Sequence, residues 1–225
     1  MEKPAKIVAR PKLAIVRTRR AELDALHLRA RNSSTTPSSA PQTNSLTSSS
    51  NLCDCLQIGD PAVGKTALTQ MFHSNGQRFP KAYNMTCGVD FCVKAVTVPG
   101  TTDAVEFHCF DVGGQDIFSE MFGSYCEGTK AVLLVYDVTR GHTFEACGNW
   151  YSRLLEATGA EGLPGAVVAN KVDLRERIVI NRQVGQRMAA SMNMPYFETS
   201  ALDGHACDEP FVELAKAFAG GADEP

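Results

Sequence analysis

The chain has 225 residues, 44% of them hydrophobic, with eight cysteines and a formal net charge of −3. That length supports one well-packed domain plus a tail, and no apolar run is long enough to span a membrane. The cysteines are scattered without a C-x-x-C pair, which points to free thiols in a reducing compartment.

Residues 1–31 carry nine Lys/Arg against three acids, a net +6, so the remainder carries −9. Residues 32–51 are almost all Ser, Thr, Asn, Pro, Gln and Ala, a composition that cannot bury a core and predicts a flexible linker. Residues 1–51 are therefore expected to be a basic, then Ser/Thr-rich, disordered extension. A basic arm for an anionic or membrane surface and an organellar transit segment stay open beside it. Glu2, Glu22 and Asp24 argue against the transit segment. Residues 52–219 are expected to be the folded domain and 220–225 a short tail.

Asp54–Ile58 predicts a strand through Cys55, Leu56 and Ile58. Cys53 and Cys55 project to one face of it, but zinc sites want a different spacing. Then comes Gly59-Asp60-Pro61-Ala62-Val63-Gly64-Lys65-Thr66, a Gly-x-x-x-x-Gly-Lys-Thr phosphate-binding loop. Glycines let the backbone wrap an oxygen cluster, and successive N–H groups from Gly59 to Ala67 point at phosphates at a helix N-terminus. Lys65 reaches the β and γ phosphates, and Thr66 offers its hydroxyl to Mg²⁺. Thr66–His73 has helical periodicity through Ala67, Leu68, Met71 and Phe72.

Further along, Val89–Val98 and Ala104–Asp111 predict a hairpin around Pro99-Gly100. Phe118–Tyr125 predicts a helix, Ala131–Tyr136 a central buried strand, Thr143–Ala157 a helix and Ala166–Ala169 a strand. Arg182–Met192 predicts a helix, Tyr196–Phe197 a strand and Phe211–Phe218 a helix. Alternating strands and helices after a strand–loop–helix opening give a doubly wound α/β fold of P-loop NTPase type, with a mostly parallel sheet, taken as six-stranded, and flanking helices. Ligands of such sheets sit at the carboxyl ends of the strands, where the motifs fall.

Three of those motifs remain. Asp111-Val112-Gly113-Gly114-Gln115 closes a strand. Asp111 can hold Mg²⁺, Gly114 can offer an N–H to a γ-phosphate and Gln115 can orient an attacking water. In Asn170-Lys171-Val172-Asp173, the Asp173 carboxylate can accept two hydrogen bonds from guanine, a donor pair that adenine lacks. Asn170 ties neighbouring loops and the Lys171 stem covers the base. In Glu198-Thr199-Ser200-Ala201, the N–H groups of Ser200 and Ala201 can approach guanine O6.

These motifs make the segment from about 52 to 219 resemble a Ras-superfamily small GTPase of the Rab branch. Cys87-Gly88-Val89-Asp90-Phe91 after Thr86, and Leu134-Val135-Tyr136-Asp137-Val138-Thr139, carry that likeness. The resemblance implies GTP and GDP as ligands, Mg²⁺ held by Thr66, Thr86 and Asp111, and slow hydrolysis depending on Gln115, Lys65 and Thr86. It also implies that Phe79 packs on guanine. Gly59 to Leu68, Phe118-Ser119-Glu120-Met121, Leu163-Pro164-Gly165, Phe197 to Ser200 and Glu209-Pro210-Phe211 resemble more narrowly the Rab-like GTPase subunits of intraflagellar transport complex B. That likeness implies a complex subunit in the cytoplasm and the cilium or flagellum, with a small β-sandwich partner and no nucleic-acid ligand. Effector-binding Rab regulators of vesicle traffic and a nucleotide-bound structural subunit remain alternatives.

The sequence departs from the pattern in places. Pro61 removes an N–H beside the catalytic glutamine, Gly113 stands for the usual Ala, and Asp116 for the usual Glu. Phe110 stands for a Trp common in Rab proteins. The last cysteine is Cys207, inside the domain, so no prenyl anchor is expected.

Overall fold

The structure is a computed structural model that describes residues 52–115 and 119–220. The expectations for 1–51 and for the tail 220–225, apart from Gly220, which ends the last helix, therefore lie outside the described residues. Six strands form one sheet: β1 Leu52–Ile58, β2 Val89–Thr97, β3 Ala104–Val112, β4 Ala131–Asp137, β5 Gly165–Asn170 and β6 Tyr196–Thr199. Five α-helices flank it: α1 Lys65–His73, α2 Ser119–Cys126, α3 Gly141–Thr158, α4 Arg182–Ser191 and α5 Glu209–Gly220.

The strand order is β2-β3-β1-β4-β5-β6. Only β2 runs antiparallel, as the arm of a hairpin with β3, and β1 is flanked by parallel β3 and β4. The chain leaves β1 toward one side of the sheet and later enters β4 on the other. That reversal opens a crevice beyond the carboxyl end of β1, where doubly wound sheets bind their ligands.

Side chains alternate faces along each strand, and the two faces bury different clusters. Cys55, Phe107, Leu133, Val135 and Val168 join Leu68, Phe72 and Phe211 on the face covered by α1 and α5. Phe72 of α1 stacks on Phe211 of α5 with centroids 3.6 Å apart and an interplanar angle of 8°, and Phe107 meets Phe211 edge-on. Burying each such ring contributes about 1.5–3 kcal/mol. On the opposite face Tyr136 packs on Phe144 of α3, and Gly185 of α4 lies so close to Tyr136 and Tyr196 that a Cβ there would collide with both. β4 and β5 are buried along their whole length, as an apolar run in a parallel sheet requires.

All eight cysteines are free thiols. Cys53 and Cys55 are fully buried, and burial raises both thiols well above their ordinary range. No cluster of His, Cys, Asp or Glu able to hold a metal occurs among the described residues, and no helix among them is long and apolar enough to cross a membrane.

Candidate functional site

The crevice beyond β1 is a cavity of about 510 Å³, within the range of sites for nucleotide-sized ligands. Its wall includes Lys65, Thr66, Thr86, Gln115, Lys171 and Asp173. Segments far apart in sequence thus meet at one sheet edge.

The loop 59–64 joins the end of β1 to the start of α1. Gly64 caps the helix with φ +102°, and a Cβ there would lie 2.2 Å from Asn170 Nδ2. No other residue satisfies both constraints. Lys65 is buried, and its Nζ donates to the carbonyls of Gly59 at 2.7 Å and Asp60 at 2.8 Å. Burial lowers its pKa to about 8, against the opposing pull of the Asp111 carboxylate. Val63 turns its side chain into the core and its carbonyl toward Asn170. Ala62 stands at φ +59°. Its carbonyl accepts from Lys171 Nζ at 2.8 Å.

Three oxygen donors converge from three segments. Thr66 Oγ1 donates to Asp111 Oδ2 at 2.5 Å, and Thr86 Oγ1 lies 2.9 Å from Thr66 Oγ1 and 3.3 Å from Asp111 Oδ2. Asp111 is 1% exposed, and its Oδ1 is buried without a hydrogen-bond partner. Burial raises its pKa, against the lowering effect of Thr66 and Lys65. A buried carboxylate oxygen with no partner, beside two hydroxyls, is an all-oxygen donor set suited to a hard divalent cation such as Mg²⁺.

Gly114 follows Asp111 and presses its backbone on the loop. A Cβ there would lie 2.4 Å from the Gly59 carbonyl oxygen and 2.6 Å from Pro61 N. Gln115 borders the cavity from the same segment. Residues 77–88, with no regular element, bring Phe79 and Thr86 to the opposite wall. Phe79 is 43% exposed, an open aromatic face beside the cavity.

The far end of the cavity is made by the ends of β5 and β6. Asn170 is buried, its Nδ2 donating to Val63 O at 2.9 Å while its Oδ1 accepts from Thr199 Oγ1 and from Ala201 N–H. Asp173 Oδ1 accepts from Ser200 Oγ at 2.8 Å. Asp173 and Ala201 both border the cavity. Ser200 differs from the sequence expectation: its N–H is bonded to His205 O, and it is its hydroxyl that reaches Asp173.

Sequence reasoning missed a set of supporting residues. Asp137, at the end of β4, accepts from Thr139 at Oδ1 and pairs with Lys171 Nζ at 2.7 Å and Arg140 Nε at 3.0 Å through Oδ2. Burial pushes its carboxyl up, but the bonds from Lys171 and Thr139 outweigh that and hold its pKa low. Arg140 also donates to Pro61 O, and Trp150 Nε1–H donates to Asp60 Oδ1. A carboxylate closing an apolar strand was a visible signal for Asp137. No sequence pattern marked Arg140 or Trp150.

Comparison with known proteins agrees with this arrangement. The Ras family signature matches residues 54–219. Intraflagellar transport protein 27 homolog of Mus musculus is 43% identical over 73% of this chain and 88% of its own length. The Bos taurus homolog is 42% identical over the same shares. Ras-related protein Rab-1C of Dictyostelium discoideum is 31% identical over 73% of this chain and 79% of its own.

Proposed function

The chain belongs to the Ras family of small GTPases, and we propose that its cavity holds GTP or GDP with Mg²⁺ and hydrolyses GTP slowly, as the switch of a Rab-like subunit in intraflagellar transport. The observation that carries the reading is the convergence of Thr66, Thr86 and Asp111 beside Lys65, with Asp111 Oδ1 unpartnered.

Each residue has a chemical task. The N–H groups of the loop 59–67 and the Lys65 ammonium receive the phosphates, which replace the carbonyls that Lys65 now contacts. Thr66, Thr86 and Asp111 would hold Mg²⁺, which would supply charge neutralisation for the β and γ phosphates. Gln115 orients a water for in-line attack on the γ-phosphorus. The bond from that phosphorus to the β–γ bridging oxygen breaks, the electron pair leaves on GDP, and the water's proton passes to the released phosphate. Asp173, set by Ser200, reads the N–H and amine of guanine, while Phe79 and the Lys171 stem cover the base. Thr86 and Gln115 lie on segments that order around the γ-phosphate and relax after its loss.

The names of the relatives support a place in the intraflagellar transport machinery; the cytoplasm and cilium or flagellum as its location, and a small β-sandwich subunit as its partner, belong to the proposal itself. A second reading, nucleotide held for structure with little turnover, is favoured by Pro61, which brings no N–H to the point where Gly114 meets the loop. Two measurements test these readings. Lys65→Ala should abolish Mg²⁺-dependent GTP binding in a fluorescence titration; unchanged affinity overturns the assignment. Gln115→Leu should slow single-turnover hydrolysis below a wild-type rate on the order of 10⁻⁴–10⁻² s⁻¹, and equal rates select the second reading.

A further inference from the structure

Trp150 is the only tryptophan of the chain. It lies on α3, 6% exposed, and it touches two parts of the site that are far apart in sequence. Its indole N–H donates to Asp60 Oδ1 at 2.9 Å, joining α3 to the phosphate loop. Its ring packs against Phe122 of α2, with centroids 5.6 Å apart. The Arg153 guanidinium sits over both rings, 4.8 Å from the Trp150 centroid and 4.9 Å from that of Phe122. That clasp holds α2 to α3 by cation–π attraction as well as by apolar contact.

The far end of the chain of contacts lies at the phosphates. The Asp60 carbonyl accepts from Lys65 Nζ, and the Asp60–Pro61 peptide is where the Gly114 backbone presses on the loop. Arg140, next to the start of α3, holds the following carbonyl, that of Pro61. The segment that leads from Asp111 through Gln115 into α2 therefore meets the Asp60–Pro61 peptide twice. It does so directly through Gly114, and through Phe122 and Trp150 by way of α3.

We propose that Trp150 is a positioning residue that couples α2 to the phosphate loop, so that the placement of α2 and the orientation of the Asp60–Pro61 peptide change together with the bound nucleotide. The proposal rests on the GTPase reading above. Trp150 touches no reacting atom; it acts through Asp60, whose carbonyl holds Lys65 Nζ where the phosphates would take its place. A purely structural tryptophan would fill the space between α2 and α3 and leave turnover alone.

The test uses the full chain. Wild-type protein loaded with GDP or with a non-hydrolysable GTP analogue should differ in tryptophan emission, because Phe122 and Arg153 sit against the one fluorophore. Trp150→Phe keeps an aromatic ring against Phe122 and loses the N–H. It should slow single-turnover hydrolysis about tenfold, the rate equivalent of one hydrogen bond to a charged group, with affinity for a labelled GTP analogue changed less than about threefold. Asp60→Ala should slow hydrolysis as much, and Asp60→Asn, which retains an acceptor oxygen, should lose less. Wild-type turnover in Trp150→Phe, or a fall in affinity that matches the fall in rate, overturns the proposal. Identical emission in the two nucleotide states also overturns it. Should Trp150→Phe fail to fold, the two Asp60 variants decide by the same criterion, and emission decides alone if wild-type turnover is below detection. Failure of the wild type to bind GTP at all is read separately, in the titration, and removes the functional reading and this proposal together.

Discussion

The side-chain amide of Asn170 donates to the carbonyl of Val63 across 107 positions of sequence, at 2.9 Å. Its oxygen accepts from Thr199 Oγ1 and from the Ala201 N–H. One buried amide thus clamps the phosphate loop, the end of β5 and the turn after β6. Asn170→Ala leaves three groups without that partner, at a cost of about 1–3 kcal/mol for each that stays buried and unpaired. We predict GDP release faster by roughly tenfold to several hundredfold, together with a lower Tm. Stopped-flow release of a labelled GDP checks the first and thermal unfolding the second. Release at the wild-type rate would show that the clamp does not shape the site.

On the proposed reading base selection rests on Asp173, which borders the cavity with one carboxylate oxygen accepting from Ser200 Oγ. Asp173→Asn turns a pure acceptor into a mixed donor and acceptor. The variant should lose its preference for GTP and gain affinity for xanthosine triphosphate. Competition between the two nucleotides against a fixed labelled ligand measures this, and an unchanged preference for GTP rules out Asp173 as the base reader.

Most of the fold was legible because its strands are short apolar runs and its helices carry a 3.6-residue period. The strand 131–136 and the helix 143–157 match β4 and α3 to within two residues at either end. The order β2-β3-β1-β4-β5-β6 was not legible, since which strand pairs with which depends on long-range contacts rather than local pattern. The loop, Asp111, Asn170 and Asp173, singled out because their chemistry fixes residue type and spacing, do meet at one end of the sheet. Arg140 and Trp150 carried no such signal, because each acts through a partner 79 or more positions away, Pro61 and Asp60 respectively. Ser200 was singled out for its N–H, which is bonded to His205 O, while its hydroxyl donates to Asp173.

His108 makes stability depend on pH. It is buried in β3, with Nδ1 3.2 Å from Asp54 Oδ1 and Nε2 3.1 Å from Glu106 Oε1. Burial alone would lower its pKa, but hydrogen bonds to the two carboxylates outweigh that and raise it above the ordinary value. A folded-state pKa above the unfolded one means that the imidazolium stabilises the fold fully below about pH 6.5, and that this contribution is lost as pH rises through the raised value. His108→Gln should therefore cost more stability at pH 5.5 than at pH 8.5. Urea unfolding of wild type and variant at both values measures the difference, and an equal loss at both would show that His108 is neutral in the fold.

Gly114 tests the contact between the γ-phosphate segment and the loop. A Cβ at this position would lie 2.4 Å from the Gly59 oxygen, 2.5 Å from the Asp60 carbonyl carbon and 2.6 Å from Pro61 N. All three are backbone atoms of a loop fixed by Asn170, Lys65 and Arg140, so the loop cannot yield as a flexible side chain would. Gly114→Ala must instead move the segment 113–115 away from the loop, and Gln115 goes with it. On the proposed reading GDP is held by Lys65, Thr66 and Asp173, none of which has Gly114 as a partner, so GDP affinity should stay within about threefold of wild type, a change of less than 1 kcal/mol. The γ-phosphate loses an N–H and the attacking water loses its orienting amide. Hydrolysis should fall by about 10²-fold or more, as when a preorganised donor is removed from a transition state. Single-turnover assays with preloaded GTP, beside GDP titrations, separate the two effects. A variant that hydrolyses GTP at the wild-type rate would mean that the segment reaches the γ-phosphate by another path, and that the close approach of Gly114 to the loop belongs to a state in which no γ-phosphate is bound.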